Sequence, residues 1–255
     1  MSADLRLGRW QDALADVGMV DAVITDPPYS ARTHEGHFAG SEAPDLTDDE
    51  KVSRADWLER KGYDDKRGLR RSLDYASWGD DDVSAFVASW APRCRGWFVV
   101  MSDHILARAW ERELAAVGLY VFAPLPFVEP GKCPRLTGDG PASWVCWITV
   151  ARPKSTSHSR WGSLPGCYIT PKGLESRRMV VGGKPESLMR ALVRDYTKPG
   201  DLVCDPCAGG ATTLLAAVTE GRRAVGSEMD PETYAKAKAR LARGYTPDMF
   251  AGLGA

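Results

Sequence analysis

The sequence predicts an α/β fold in which a mostly parallel sheet is covered by helices on both faces. Short apolar runs typical of buried strands alternate along the chain with segments whose apolar residues recur at helical spacing. The chain has 255 residues, of which 44% are hydrophobic and 26% are charged, and this balance excludes a largely disordered protein. No run of about 18 apolar residues occurs, so no membrane span is expected. We expect a single domain over residues 1–255.

Five apolar runs predict strands, and four further segments predict helices. The strand runs are 21–25, 96–102, 143–150, 201–204 and 224–227. The helical segments are 105–117, 187–196, 212–219 and 231–241. The last helix has a clear beginning, because Asp230 can cap its free N–H groups and Pro231 suits the first helical position.

Two polar stretches interrupt this alternation, an insert at about 31–80 and a basic loop at about 151–183. The net charge of −1 excludes a basic field over the whole surface, so contact with nucleic acid requires a local patch. Each stretch holds clustered cations, and the second also holds aromatic residues, a combination that suits a phosphate backbone and unstacked bases. Solvated surface loops are the alternative. The candidate DNA-binding residues are Lys66, Arg67, Arg70, Arg71, Arg160, Arg177 and Arg178.

The cysteines and the first residues bear on the cellular compartment. Six cysteines are too few for a disulfide framework, and the first residues contain no apolar segment of a secretory signal. We therefore expect reduced thiols and a cytoplasmic protein. Cys204 and Cys207 have the spacing of metal ligands, but no second pair accompanies them, so no metal site is expected.

The sharpest motif is Asp26-Pro27-Pro28-Tyr29, which directly follows a predicted strand. Ligands of parallel α/β sheets bind beyond the carboxyl ends of strands, where this segment falls. The two prolines fix the backbone, so a carboxylate and a carbonyl oxygen are held in place as two acceptors. They suit an exocyclic amine, which has two N–H donors, and the ring of Tyr29 gives a planar base a face for stacking.

A second motif predicts a cofactor site. A strand runs into a glycine-rich turn and then a helix, which gives close backbone approach and free N–H groups. Its residues are Asp205, Pro206, Cys207, Ala208, Gly209, Gly210 and Thr212. A carboxylate at Asp205 would repel a phosphate and suits an ammonium group, while Glu228, at the end of the next strand, is placed to bind ribose hydroxyls. A ribose-bearing ligand with an ammonium group and no pyrophosphate points to S-adenosylmethionine.

Together these motifs resemble those of the amino-methylating DNA methyltransferases, which modify adenine N6 or cytosine N4. Residues 25–29 match the catalytic motif of that family, and residues 205–213 resemble its cofactor motif, usually Asp-Pro-Phe-x-Gly-Ser-Gly-Thr-Thr. Lys184 and Pro185 resemble the segment that opens the preceding helix, and the resemblance places Lys184 and Asp26 beside the cofactor. The catalytic motif precedes the cofactor motif, as in the circularly permuted β subclass.

The resemblance implies a Rossmann-like, seven-stranded sheet with one antiparallel strand. It implies S-adenosylmethionine as cofactor and double-stranded DNA as partner, and dimers are common in the subclass, which adds a homodimer to the expected partners. Asp26 favours adenine, because most β-subclass cytosine enzymes carry Ser at that position. The expected reaction is methylation of N6 of an adenine flipped out of the duplex.

Alternatives stay open at this point. They are a cytosine-N4 methyltransferase, a protein-glutamine or RNA methyltransferase, and a non-catalytic DNA-binding relative. The cofactor turn departs from the family pattern at Cys207, Gly210 and Ala211, which keeps the non-catalytic relative under consideration.

Overall fold

One sheet organises the chain in the computed structural model, which describes residues 2–33, 76–131, 141–154, 161–170 and 183–244. The strands in that part are β1 (Ala3–Leu7), β2 (Val20–Thr25), β3 (Cys94–Ser102), β4 (Tyr120–Val121), β5 (Leu125–Val128), β6 (Val145–Arg152), β7 (Tyr168–Ile169), β8 (Leu202–Asp205) and β9 (Arg223–Glu228). The helices are α1 (Trp10–Ala13), α2 (Asp80–Trp90), α3 (His104–Ala116), α4 (Glu186–Tyr196), α5 (Thr212–Thr219) and α6 (Pro231–Arg243), with a 3₁₀ turn at Ala91–Arg93.

The strand order is β1-β9-β8-β2-β3-β6-β5-β7, and β4 pairs separately with β6. Strands β1, β9, β8, β2 and β3 run parallel, whereas β6 is antiparallel to each of its partners β3, β4 and β5. The expected single antiparallel strand is therefore confirmed. The expected number of seven strands needs correction: the described residues form nine, because β4 and β7, of two residues each, join seven longer strands.

Helices cover both faces of the sheet, as the sequence predicts. On one face α4 and α5 supply most of the helical side chains of a buried cluster that includes Met189, Leu192 and Leu214. On the other face α2 and α3 bury Phe86 and Trp110 against the central strands. No helix in the described ranges is long and apolar enough to cross a membrane.

The topology brings polar residues from distant parts of the chain to one edge of the sheet. Strands β2, β3, β8 and β9 are parallel, so their carboxyl ends lie together. The antiparallel strand β6 begins at that same edge. The catalytic motif follows β2, and the glycine-rich turn follows β8, which pairs with β2.

Candidate active site

Asp26 is tied to two other predicted site residues. Its Oδ1 accepts a hydrogen bond from the hydroxyl of Tyr29 at 3.0 Å, and its Oδ2 accepts one from Nζ of Lys184 at 2.6 Å. The Tyr29 hydroxyl also lies 2.8 Å from Sγ of Cys146 at the beginning of β6. Burial raises the pKa of Tyr29 well above its ordinary value, so the hydroxyl stays protonated and remains a donor.

Lys184 belongs to the same cluster as the catalytic motif. Its ammonium lies 4.9 Å from the centroid of the Tyr29 ring as well as within hydrogen-bond distance of Asp26. The side chain is 5% exposed, and that of Asp26 is 23% exposed. A charge buried to this extent requires a partner of opposite sign, and Asp26 supplies it.

Asp205 links the glycine-rich turn after β8 to the end of β2 through hydrogen bonds. Its Oδ1 accepts the hydroxyl of Thr25, the residue before Asp26, at 2.7 Å and the backbone N–H of Cys207 at 3.2 Å. Burial raises the pKa of Asp205 from 3.8 to about 6, against the hydrogen bonds from Thr213, Thr25 and Cys207, which lower it. The two predicted motifs therefore meet, although about 180 residues separate them in the chain.

The glycine-rich turn has an unusual backbone. Gly209 has φ +49° and Ala211, two residues later, has φ +56°, a left-handed conformation that residues other than glycine rarely adopt. A Cβ added at Gly209 would meet no atom within 4 Å, so the turn borders open space there. The strained Ala211 is fully buried, and the packing around it holds the turn in this shape.

Glu228, at the end of β9, contacts the glycine-rich turn. Its Oε1 accepts the backbone N–H of Asp230 at 2.8 Å, and the carboxylate also interacts with the backbone N–H of Gly209. Burial nevertheless raises its pKa above the ordinary value. The acid predicted to bind ribose thus lies against the predicted cofactor turn.

Arg240 of α6 stabilises the glycine-rich turn through hydrogen bonds. Its guanidinium donates to the carbonyl of Gly210 at 3.0 Å and to the hydroxyl of Thr212 at 2.9 Å, and its other terminal nitrogen lies 3.2 Å from Oε2 of Glu186. The sequence analysis missed this residue, because nothing in the spacing of α6 indicates which side chain reaches a turn 30 residues away.

Asp103, at the end of β3, bonds both to α3 and to the loop that follows Tyr29. Its Oδ1 caps α3 by accepting the N–H groups of Ile105 and Leu106, while its Oδ2 accepts the N–H and hydroxyl of Ser30 and the hydroxyl of Thr33. These bonds lower its pKa despite burial, which acts in the opposite direction. Asp103 therefore anchors the loop that follows Tyr29; its position at a strand end was the available signal.

Cys207 lies in the turn as a neutral thiol. Burial raises its pKa well above the ordinary value, and the neighbouring Asp205, Glu228 and Asp26 act in the same direction. The thiolate form required of a nucleophile is therefore strongly disfavoured. The half-buried residue packs against the core cluster on the α2 and α3 face.

The predicted catalytic and cofactor residues thus lie together at one edge of the sheet. The predicted DNA-binding residues lie outside the residues that the structure describes; they are Lys66, Arg67, Arg70, Arg71, Arg160, Arg177 and Arg178. Their assignment stays a prediction.

Comparisons with known proteins identify relatives. Residues 150–239 match the family model N6_N4_Mtase, described as DNA methylase. The Escherichia coli (strain K12) protein named "Putative methylase YubD" is 25% identical over 226 residues, which cover 88% of this chain and 82% of that protein. A segment of 49 residues is 41% identical to DNA adenine methyltransferase YhdJ of the same strain and covers 19% of this chain and 17% of YhdJ.

Two solved structures share the fold. The M1.HpyAVI–SAM complex has a TM-score of 0.63 at 17% sequence identity, and the match covers 94% of this chain and 100% of that chain. The PvuII DNA methyltransferase (cytosine-N4-specific) has a TM-score of 0.60 at 17% identity, with 98% and 89% covered. The sheet is thus that of the S-adenosylmethionine-dependent methyltransferase fold. The family model over residues 150–239, the YubD alignment and the two motifs together support an adenine-N6/cytosine-N4 DNA methyltransferase.

Proposed function

We propose that the protein transfers the methyl group of S-adenosylmethionine to the exocyclic N6 amine of an adenine in double-stranded DNA. The observation that carries the proposal is the hydrogen bond between Thr25 and Asp205, which holds the catalytic motif beside the glycine-rich turn. A methyl donor bound at the turn would then lie next to the acceptor held by Asp26.

The residues of the turn fit the cofactor. Asp205 is 1% exposed and receives hydrogen bonds from neutral groups, so its charge is incompletely balanced and suits an ammonium group. Glu228 offers acceptors for ribose hydroxyls, and Gly209 borders open space where a ligand can approach the backbone. The N-terminal N–H groups of α5 begin directly after this turn.

The residues after β2 fit the base. The target amine lies inside the duplex, so the base must leave the stack before it reaches the pocket. The Tyr29 ring supports the flipped base, and Asp26 and the Pro27 carbonyl accept its two N–H bonds. These bonds draw the nitrogen toward tetrahedral geometry and localise a lone pair that is otherwise delocalised into the ring.

The protein would accelerate methyl transfer by positioning the amine beside the methyl donor and by stabilising the charge that develops on the amine nitrogen. The cofactor, when bound, supplies a methyl group on a positively charged sulfur. The amine nitrogen would attack the methyl carbon in line as the carbon–sulfur bond breaks. Asp26 would stabilise the positive charge that the nitrogen then carries, and one N–H proton would pass to solvent. Asp26 does not have to act as a strong base, because the proton becomes acidic only after transfer.

Cytosine N4 is the second candidate target. Its amine presents the same two donors, and the fold is shared with a cytosine-N4-specific enzyme. The aspartate at position 26, where most β-subclass cytosine enzymes carry serine, favours adenine. Digestion of methylated DNA to nucleosides separates the two products by mass and chromatography.

The decisive test replaces Asp26 by Ala and by Asn. We expect methylation of unmethylated genomic DNA to fall by about 100-fold or more in both variants, which is the usual loss when one such stabilising group is removed.

Sequencing of single DNA molecules from cells that express the wild type reports the base and motif together. Asp12→Ala, at an exposed position outside the site, is the control. Near-native methylation by Asp26→Ala would overturn the mechanism.

A further inference from the structure

Lys184 is the cation that faces both groups expected to hold the target base. Its Nζ lies 2.6 Å from Oδ2 of Asp26 and 4.9 Å from the centroid of the Tyr29 ring. Tyr29 also packs against the core cluster on the α4 and α5 face. The side chain of Lys184 is 5% exposed, so its ammonium is withdrawn from solvent.

The target base is expected to contact the same two residues as Lys184, which are Asp26 and Tyr29. In the proposed complex it donates a hydrogen bond to Asp26 while its ring stacks on Tyr29. The planes of two stacked rings lie closer together than the 4.9 Å that separates Nζ from the centroid of the Tyr29 ring. A base stacked on Tyr29 would therefore enter the space that the ammonium occupies. Oδ1 of Asp26 accepts the Tyr29 hydroxyl and Oδ2 accepts the Lys184 ammonium, so an entering amine meets an existing donor at either oxygen.

We propose that Lys184 takes the place of the target amine before DNA binds and has to withdraw from Asp26 and Tyr29 before the base can bind. The inference rests on the proposed function. The ammonium is a suitable substitute, because it is an N–H donor and it balances the partly buried carboxylate until DNA arrives. The entering amine then exchanges one hydrogen bond to Asp26 for another.

This exchange makes Lys184 a competitor of the base. A charge-assisted hydrogen bond is broken and a bond from a neutral amine is formed, so part of the binding free energy of the base is lost to the exchange. Without the ammonium, the same base would bind more tightly. A residue that supported Asp26 throughout the reaction would have the opposite effect, because its removal would weaken the complex.

The test compares Lys184→Met with the wild type on two duplexes. Both carry the motif that sequencing of wild-type products identifies, one with adenine at the target position and one with an abasic site there. We expect Lys184→Met to bind the adenine duplex about tenfold more tightly than the wild type does, and to bind the abasic duplex equally, because no base competes for the pocket there. Fluorescence anisotropy measures both affinities.

A matched control is available in α6. Lys238 also lies over a tyrosine ring, 5.4 Å from the centroid of Tyr234, and its Nζ is 3.2 Å from that hydroxyl. Lys238→Met removes an exposed ammonium that lies over a tyrosine ring outside the candidate site, so it should leave the difference between the two duplexes at the wild-type value.

The outcomes separate this inference from the function on which it rests. Equal or weaker binding of the adenine duplex by Lys184→Met, with wild-type methylation established, overturns the inference alone. A wild type that methylates no DNA overturns both. If Lys184→Met does not fold, Lys184→Gln is measured in the same way. The wild type labelled with ¹⁵N-lysine gives a further readout: the Lys184 ammonium signal should change with the adenine duplex and stay constant with the abasic one.

Discussion

At the scale of single residues, Asp205 is the clearest case of a buried carboxylate that lowers stability. The carboxylate is 1% exposed, and its pKa is about 6, against 3.8 in the unfolded chain. As pH rises past 3.8 the unfolded chain loses its proton first, so the folded state becomes less favoured until the folded pKa is passed. The loss amounts to about 3 kcal/mol at pH 8. A group held at this cost is expected where a cation binds.

The variant Asp205→Asn tests this assignment. Its amide does not ionise, so it avoids the cost that the carboxylate accumulates between pH 3.8 and about pH 6 and keeps at higher pH. The stability of the variant relative to the wild type should therefore grow by about 1.4 kcal/mol between pH 5 and pH 8. Urea denaturation at the two pH values measures the difference. A relative stability that is the same at both would contradict a raised pKa for Asp205.

Residue types at strand ends carried most of the site prediction. Asp26, Asp205 and Glu228 could be found because each follows an apolar run, and parallel strands bring such ends together. Arg240 could not be assigned, because its partner Gly210 is reached only through tertiary packing, and the same holds for the bond between Asp103 and Ser30. The placement of Lys184 against Asp26 and Tyr29 was equally beyond the sequence, in which it appeared only as part of a segment near the cofactor.

At the scale of secondary structure elements, the contact between β8 and β9 depends on one small residue. Gly226 pairs with Asp205 in the register of the two strands. A Cβ added at Gly226 would lie 2.5 Å from the carbonyl oxygen of Asp205 and 2.9 Å from Cδ1 of Leu214. The first neighbour is backbone and cannot move without shifting β8, so no rotamer change relieves the contact. The missing side chain of this glycine therefore allows β9, which carries Glu228, to lie close to β8, which carries Asp205.

We expect Gly226→Ala to lower the free energy of unfolding by about 2–3 kcal/mol, as overpacked cores usually do. It should also weaken cofactor binding, because Asp205 moves with β8. Chemical denaturation and calorimetric titration with S-adenosylmethionine measure the two effects. Gly18→Ala is the control, since an added Cβ there meets no atom within 4 Å, and it should stay within about 0.5 kcal/mol of the wild type. A fully stable Gly226→Ala would contradict the close approach.

Long, strongly apolar or strongly periodic elements were predictable, and short ones were not. The predicted helix at 212–219 matches α5, and the capping role of Asp230 is confirmed by its bond from the N–H of Thr233. Strand β1 was missed because it alternates charged and apolar residues over five positions at the edge of the sheet. Strands β4 and β7 have two residues each, too few for any periodicity.

Helix α2 was missed for a different reason. Its buried residues Val83, Phe86, Val87 and Trp90 have regular helical spacing, but the sequence analysis extended the polar insert to residue 80 and assigned no helix beyond it. Three aspartates open the helix, where negative charge is favourable beside free N–H groups. The acidic start thus belongs to a helix N-terminus rather than to an unstructured insert.

At the scale of the whole molecule, the order of the motifs along the chain is less important than the sheet that unites them. The catalytic motif comes from the first fifty residues and the cofactor turn from the last sixty, yet β2 and β8 are neighbours with Ala22 opposite Val203. A permuted chain can therefore build the same site, because the site is defined by adjacent strand ends. The sequence predicted this adjacency through the family resemblance, since local patterns do not specify strand order.

The central strands also join the two buried clusters into one cooperative unit. On β2, Ala22 and Ile24 face one cluster while Val23 faces the other, and β3 alternates in the same way with Phe98 and Val99. Loss of packing on either face therefore loosens the same strands. The described part of the chain should unfold in one transition, although the two helical layers do not share a face.

Two large-to-small substitutions on opposite faces test this cooperativity. Phe86 packs its ring 5.3 Å from Trp10, 5.6 Å from Trp110 and 6.2 Å from Phe98, and Leu192 of α4 is fully buried on the other face. Phe86→Ala should lose about 3–5 kcal/mol and Leu192→Ala about 2–5 kcal/mol of unfolding free energy. Near-ultraviolet circular dichroism reports the packing of aromatic side chains, which lie on both faces because Trp97 belongs to the other cluster and Trp161 packs against it, whereas the far-ultraviolet signal reports the secondary structure. In both variants the two signals should fall at one shared, lowered midpoint; separate midpoints would mean that the faces unfold independently and that the strand ends of the active site are held by only one of them.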